Sequence, residues 1–108
     1  MSNSDHRQLS EAEYDSYFEA PMVNVTESAD PVLDIWPYVD SVNQAELADI
    51  TTHDVSFVYR HPNGRWEHVV IDTCAEDVHL VVIIDRDEGK IVGHHLLNLR
   101  RKYGLREH

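Results

Sequence analysis

The spacing of apolar residues changes near residue 54, from a helical period to a strict alternation. Beyond that point, four runs rich in Val, Ile and aromatic residues are separated by turn residues, which is typical of strands. The predicted strands are Val55–Arg60, Trp66–Asp72, Val78–Asp85 and Lys90–Leu97. Short links such as the Asn63-Gly64 turn favour antiparallel neighbours. The second half, residues 55–108, therefore predicts a four-stranded antiparallel β-meander over about residues 55–97.

The first half, residues 1–54, shows helical spacing and helix-capping residues. Ser10 followed by Glu13 is a capping box, and Met22–Thr26 is an extended stretch that suits a short edge strand. The predicted helices are residues 10–20, a helix that starts at Asp30-Pro31 and that Pro37 must kink or restart, and a short one over Ala45–Ile50. These elements predict an α+β fold, with two or three N-terminal helices packed on the meander. Residues 1–108 are expected to form a single domain.

Both faces of the predicted sheet are apolar. Centring each turn pairs Tyr59 with Trp66, Asp72 with His79, and Asp85 with Lys90. On this register one face is aliphatic, with Val58, Val69, Ile71, Leu80, Val82, Ile84, Ile91 and Leu97. The other face carries Val55, Phe57, Tyr59, Trp66, His68, Val70, His79, Val81, Ile83, Val92, His94 and Leu96. Two alternatives follow: the N-terminal segments cover both faces, or the second face contacts a partner or a second copy of the chain.

The net charge of −11 lies entirely in the first half, which has twelve carboxylates and a single cation, Arg7. An acidic surface repels phosphate and anionic lipid and attracts basic protein, so neither nucleic acid nor membrane is an expected partner. The basic run Arg100-Arg101-Lys102 is too small to reverse this expectation. The residues expected to bind a partner are Glu11, Glu13, Asp15, Glu19, Asp30, Asp34, Phe57, Tyr59 and Trp66.

A single cysteine, Cys74, and an opening sequence without an apolar segment favour a reducing, cytoplasmic location. The longest apolar run, Leu80–Ile84, is far shorter than the roughly 18 residues of a membrane helix. Cys74 lies near His79 across a predicted turn, but no motif of a nucleophilic enzyme surrounds this pair.

Three histidines are candidates for a zinc site, because three imidazoles and a water are a common catalytic zinc set. The predicted register puts His68, His79 and His94 on one face. An intervening strand separates His68 from His94 by roughly 10 Å, too far to share an ion unless Gly93 forms a bulge. No metal or other cofactor is therefore expected.

The sequence predicts a small acidic binding protein without catalytic activity. Its expected role is that of an inhibitor, of the immunity-protein or antitoxin kind, or of a nucleic-acid mimic directed at a basic protein. The alternatives are a homodimeric protein of structural or regulatory role that uses the aromatic sheet face, and a histidine-dependent metalloenzyme.

Overall fold

The computed structural model describes residues 7–18, 21–27, 33–46, 51–75 and 78–97. Its elements are α1 (Glu11–Ser16), β1 (Val23–Asn24), α2 (Trp36–Glu46), β2 (Thr52–Arg60), β3 (Trp66–Thr73), β4 (His79–Asp85) and β5 (Lys90–Leu97). The strands form one antiparallel sheet in the order β1-β2-β3-β4-β5. The predicted α+β class is confirmed. The sheet has five strands where four were predicted, because the extended stretch at residues 23–24 pairs with the end of β2.

Two of the three predicted strand pairings are confirmed, namely Asp72 with His79 and Asp85 with Lys90. The third is wrong, because Tyr59 pairs with His68 and not with Trp66. The β2–β3 loop is longer than a tight hairpin, and Gly64 supplies its positive φ of 79°. This shift of two residues leaves every side chain of β3 on its predicted face, since side chains alternate with a period of two.

A bulge in β5 exchanges the faces of its second half. Ile84 pairs with Ile91 but Ile83 pairs with Gly93, so Val92 is an extra residue in β5. His94 consequently lies opposite Val82, on the aliphatic side of the sheet and not on the side of His68. The predicted position of His94 was wrong because a bulge shifts the alternation by one residue.

A second irregularity moves Val55. Phe57 pairs with Val70, whereas Val55 pairs with Ile71, so the register shifts around Ser56. Val55 therefore lies on the aliphatic side, where it is 38% exposed, and not beside Phe57 as predicted.

Helix α1 begins as predicted. The Ser10 side chain accepts from the Glu13 amide, and the Glu13 carboxylate accepts from the Ser10 amide, completing the capping box. The helix ends at Ser16, earlier than the predicted residue 20, with Tyr17 as its C-cap residue. The carbonyl oxygen of Tyr17 lies 2.9 Å from Nε2 of His68 on β3, so this group bonds to the sheet and not to a further helical turn.

Helix α2 is one continuous helix. The Asp34 carboxylate accepts from the Trp36 amide at 3.1 Å, and Pro37 follows in the first turn, where a missing amide is not needed. Ser41 lies inside the helix and donates to the Pro37 carbonyl at 3.2 Å, so α2 continues without a break into Ala45, where a separate third helix was predicted to begin. The predicted start at Asp30-Pro31 and the end of the third predicted helix, residues 47–50, lie outside the described residues.

Two buried clusters lie on opposite sides of the sheet. The aliphatic face carries Val58, Val69, Ile71, Leu80, Val82 and Ile84, and it packs against Ile35, Val39 and Val42. The aromatic face carries Tyr59, Val70, Val81, Ile83 and the buried His68, and its apolar residues pack against Leu9 and Tyr14, with Tyr17 and Met22 alongside. The first half of the chain thus covers both faces, the first of the two predicted alternatives.

Residues 7–9, here called the N-terminal strap, run alongside β5. The Leu9 amide donates to the His94 carbonyl at 2.7 Å, and the His94 amide donates to the Arg7 carbonyl at 2.9 Å. A Cβ on Gly93 would lie 2.8 Å from the Arg7 carbonyl oxygen and 2.9 Å from the Leu9 side chain. The approach of the strap therefore requires glycine at this position.

Candidate functional site

The described cations of residues 55–108, here called the sheet half, bind carboxylates of the same half. Arg65 donates a bidentate pair of hydrogen bonds to the Asp85 carboxylate, at 3.0 and 2.8 Å. The Lys90 ammonium lies 3.2 Å from the Glu88 carboxylate. The hydrogen bond from Arg65 is the main cause that lowers the pKa of Asp85. Arg60 and Arg86 both face Glu67, at 2.9 and 3.4 Å. In the described part of the sheet half, no arginine or lysine forms an ion pair with an acid of the first half.

Most of the first-half acids whose side chains the structure describes are without such partners. Glu13 pairs with Arg7, and the pKa of Glu13 is lowered chiefly by its hydrogen bond from the Ser10 amide. Within the described ranges, five carboxylates of the first half form no ion pair: Glu11, Glu27, Asp34, Asp40 and Asp54. All five side chains belong to exposed residues, so their charge acts on the solvent side of the molecule.

The predicted partner-binding acids are divided between two sides of the sheet. Glu11 and Asp15 are exposed on α1, which packs on the aromatic face through Tyr14. Asp34 precedes α2, on the aliphatic side. Glu19 and Asp30 lie outside the described residues.

The three aromatic residues predicted to bind a partner lie on the α1 side. The Trp66 ring meets Tyr17 edge-on at 4.8 Å, and the Arg65 guanidinium lies 4.5 Å from the Trp66 ring centre. Phe57 stacks on Tyr59 at 5.9 Å. Tyr59 is buried, which raises the pKa of its hydroxyl, while Phe57 and Trp66 are half-buried. The α1 side thus combines three acids, Glu11, Glu13 and Asp15, with this aromatic group.

The three candidate zinc histidines are not brought together. His68 is fully buried on the aromatic face, and burial is the main cause that lowers its pKa to about 4. His94 is buried on the aliphatic side, where its Nδ1 lies 2.7 Å from the Tyr38 hydroxyl. His79 lies 3.3 Å from Asp72. Among the described residues, no three His, Cys, Asp or Glu side chains are grouped so that they could hold a metal ion.

Glu67 is a buried charge and was not among the predicted site residues. Glu67 follows Trp66 in β3 and lies on the same face as Val69. This position on an otherwise apolar face was the available indication of a buried charge. Glu67 is 2% exposed and forms part of the wall of a cavity of about 520 Å³ on the aliphatic side. This cavity lies between the sheet and the start of α2 at Trp36.

Comparisons with protein-family models, with curated proteins and with solved structures found no match to this chain. In the parts of the chain that the structure describes, no helix has the length and apolar character needed to cross a bilayer.

Proposed function

We propose that this protein binds a basic protein partner and acts as its inhibitor, without catalytic activity of its own. The observation that carries the proposal is the separation of charge. Arg60, Arg65, Arg86 and Lys90 form ion pairs with carboxylates of the sheet half, while Glu11 and Asp40 on the two helices form no ion pair in the described part of the chain. The negative charge of the first half is therefore available to a partner.

The α1 side is the proposed contact surface. It brings six of the nine predicted residues to one side of the sheet: Glu11, Glu13, Asp15, Phe57, Tyr59 and Trp66. Protein interfaces combine aromatic anchors with a polar, charged rim. Charge complementarity mainly speeds association and selects the partner, and both effects weaken as salt screens the charges.

The test compares two charge reversals of equal size. Protein captured by the immobilised chain from its source organism at low salt is identified by mass and then purified. Its affinity is measured against Glu11→Lys/Asp15→Lys and against the control Asp40→Lys/Asp54→Lys, whose acids are exposed and form no ion pair in the described part of the chain. We expect the first variant to bind at least tenfold more weakly and the control to lose much less.

Three results would overturn the proposal. Equal loss in both variants would mean that only net charge matters, with no defined surface. Binding that does not change between low and half-molar salt would remove the electrostatic argument. Preferential binding to duplex DNA would contradict the class of partner.

A homodimer is the second candidate, because Phe57 and Trp66 remain partly exposed and Val23 on the neighbouring edge strand is 50% exposed. Sedimentation of the purified chain across a concentration series distinguishes this candidate from a monomer that binds a different protein.

A further inference from the structure

Glu67 has one carboxylate oxygen with partners and one without. Its Oε1 accepts from Nε and Nη2 of Arg60 at 3.0 and 2.9 Å, and Nε of Arg86 lies 3.4 Å from the same oxygen. Its Oε2 accepts no hydrogen bond from any described residue, although the side chain is only 3% exposed. Oε2 is not fully buried: it keeps a small accessible surface at which a donor can approach it.

The cavity that Glu67 borders is mainly apolar, and Thr26 and Asp34 are the other polar residues of its lining. Its walls include Ile35 and Trp36 beside α2, and Val55, Val58, Val69 and Ile84 on the sheet. Its volume of about 520 Å³ is within the range of small-molecule sites, about 300–1,000 Å³. Such sites usually join an apolar wall to a few polar groups that orient the ligand.

The charges around Glu67 restrict the ligand further. Two guanidinium groups, those of Arg60 and Arg86, already compensate the charge of its carboxylate, so a cationic ligand would gain little there while losing its own hydration. An anionic ligand would face the unpaired oxygen of Glu67 and the rim carboxylate of Asp34, and the described lining includes no arginine or lysine. A neutral donor is the group that suits Oε2.

We propose that this cavity binds a small, neutral, mainly apolar molecule whose hydroxyl group donates a hydrogen bond to Oε2 of Glu67. The site lies on the aliphatic side, across the sheet from the surface proposed for the protein partner. The test of this ligand site is therefore independent of the proposed protein-binding function.

The test uses four probes with one skeleton. These are 4-tert-butylcyclohexanol, its methyl ether, the corresponding amine and the corresponding carboxylate, none of which absorbs where tryptophan does. Trp36 borders the cavity, whereas Trp66 lies on the opposite face, so the variant Trp66→Phe makes fluorescence report on Trp36 alone. Amide chemical shifts of the unmodified chain locate the bound probe.

We expect the alcohol to bind at least tenfold more tightly than the ether, amine or carboxylate, with shifts at Trp36, Val58 and Val69. In Glu67→Gln the preference for alcohol over ether should fall to less than threefold, because the amide can also donate to the ether oxygen. Val55→Phe, at the partly exposed edge of the cavity, should weaken all probes, while the control Val23→Phe, outside the cavity, should not.

Equal affinity for alcohol and ether in the unmodified chain would overturn the proposal. So would shifts that map to the aromatic face, or an absence of shifts at millimolar alcohol. Should Glu67→Gln fail to fold, the four-probe comparison and Val55→Phe still decide the question.

Discussion

Replacing Gly93 with alanine should destabilise the fold, because the added Cβ would lie 2.8 Å from the Arg7 carbonyl oxygen and 2.9 Å from the Leu9 side chain. Overpacking of this kind costs about 1–3 kcal/mol. If the strap moves away instead, two backbone hydrogen bonds are lost, at about 0.5–1.5 kcal/mol each. The burial of Leu9, now 1% exposed, is then lost as well. The favourable effect of alanine on the unfolded chain offsets only about 0.4–1 kcal/mol.

The less costly of the two responses sets the loss, so the expected net loss for Gly93→Ala is about 1–2 kcal/mol. It is measured as a lower urea midpoint with an unchanged slope. Hydrogen exchange of the Leu9 and His94 amides, which bond the strap to β5, should become faster than that of the β3 amides.

A double-mutant cycle identifies the cause of the loss. In a Leu9→Ala background the side-chain part of the clash is absent, so Gly93→Ala should cost at least about 0.5 kcal/mol less than in the unmodified chain. An unchanged or higher urea midpoint for Gly93→Ala, or strict additivity with Leu9→Ala, would refute the close approach of the strap to β5.

Three further predictions follow from the buried histidines and from Trp66. Burial lowers the pKa of His68 from 6.5 to about 4, because it disfavours the charged imidazole. The folded state is therefore most stable, as far as His68 is concerned, at neutral pH, and it loses this stability as the pH falls from 6.5 towards 4. Between pH 7 and pH 5 the loss from this one group is about 2 kcal/mol by the linkage relation, and a His68→Phe variant whose urea midpoint falls just as steeply would contradict it. Since His68 and His94 lie on opposite sides of the sheet, a tenfold excess of zinc or nickel should change the melting temperature by no more than a few degrees. A large rise in the melting temperature that a chelator reverses and that His94→Ala abolishes would instead support the metalloenzyme hypothesis. Trp66→Ala removes contacts with Tyr17 and Arg65, and its folding cost should be at or below about 3 kcal/mol, the lower limit for a fully buried tryptophan. Weaker self-association or partner capture with an intact fold would favour an interface, whereas a lowered midpoint with unchanged sedimentation and capture would make Trp66 ordinary core.

The sequence by itself determined the features that depend on neighbours along the chain. The capping box at Ser10 and Glu13 needs only residues within one helical turn, so the start of α1 was predictable. The apolar alternation gave the strands, and short turns gave the antiparallel order and two of the three pairings. The charge difference between the two halves is likewise a property of the sequence.

The end of α1 was decided by sequence and tertiary structure together. Pro21 has no amide to donate to the Tyr17 carbonyl four residues before it, and this carbonyl instead lies 2.9 Å from Nε2 of His68, a partner far away in the sequence. The strap over Gly93 is a second contact of this kind. Long-range contacts of this type leave no periodic pattern in the sequence, because each depends on two segments that meet only after folding.

The candidate sites were decided by tertiary structure for the same reason. One extra residue at Val92 moves His94 to the other side of the sheet, and alternation alone cannot locate such a bulge. The partners of Glu67 come from the end of β2 and from the turn after β4. A charge in a strand is ordinary in a sequence. Only the packing of α2 over the sheet makes this carboxylate a buried group beside an apolar cavity.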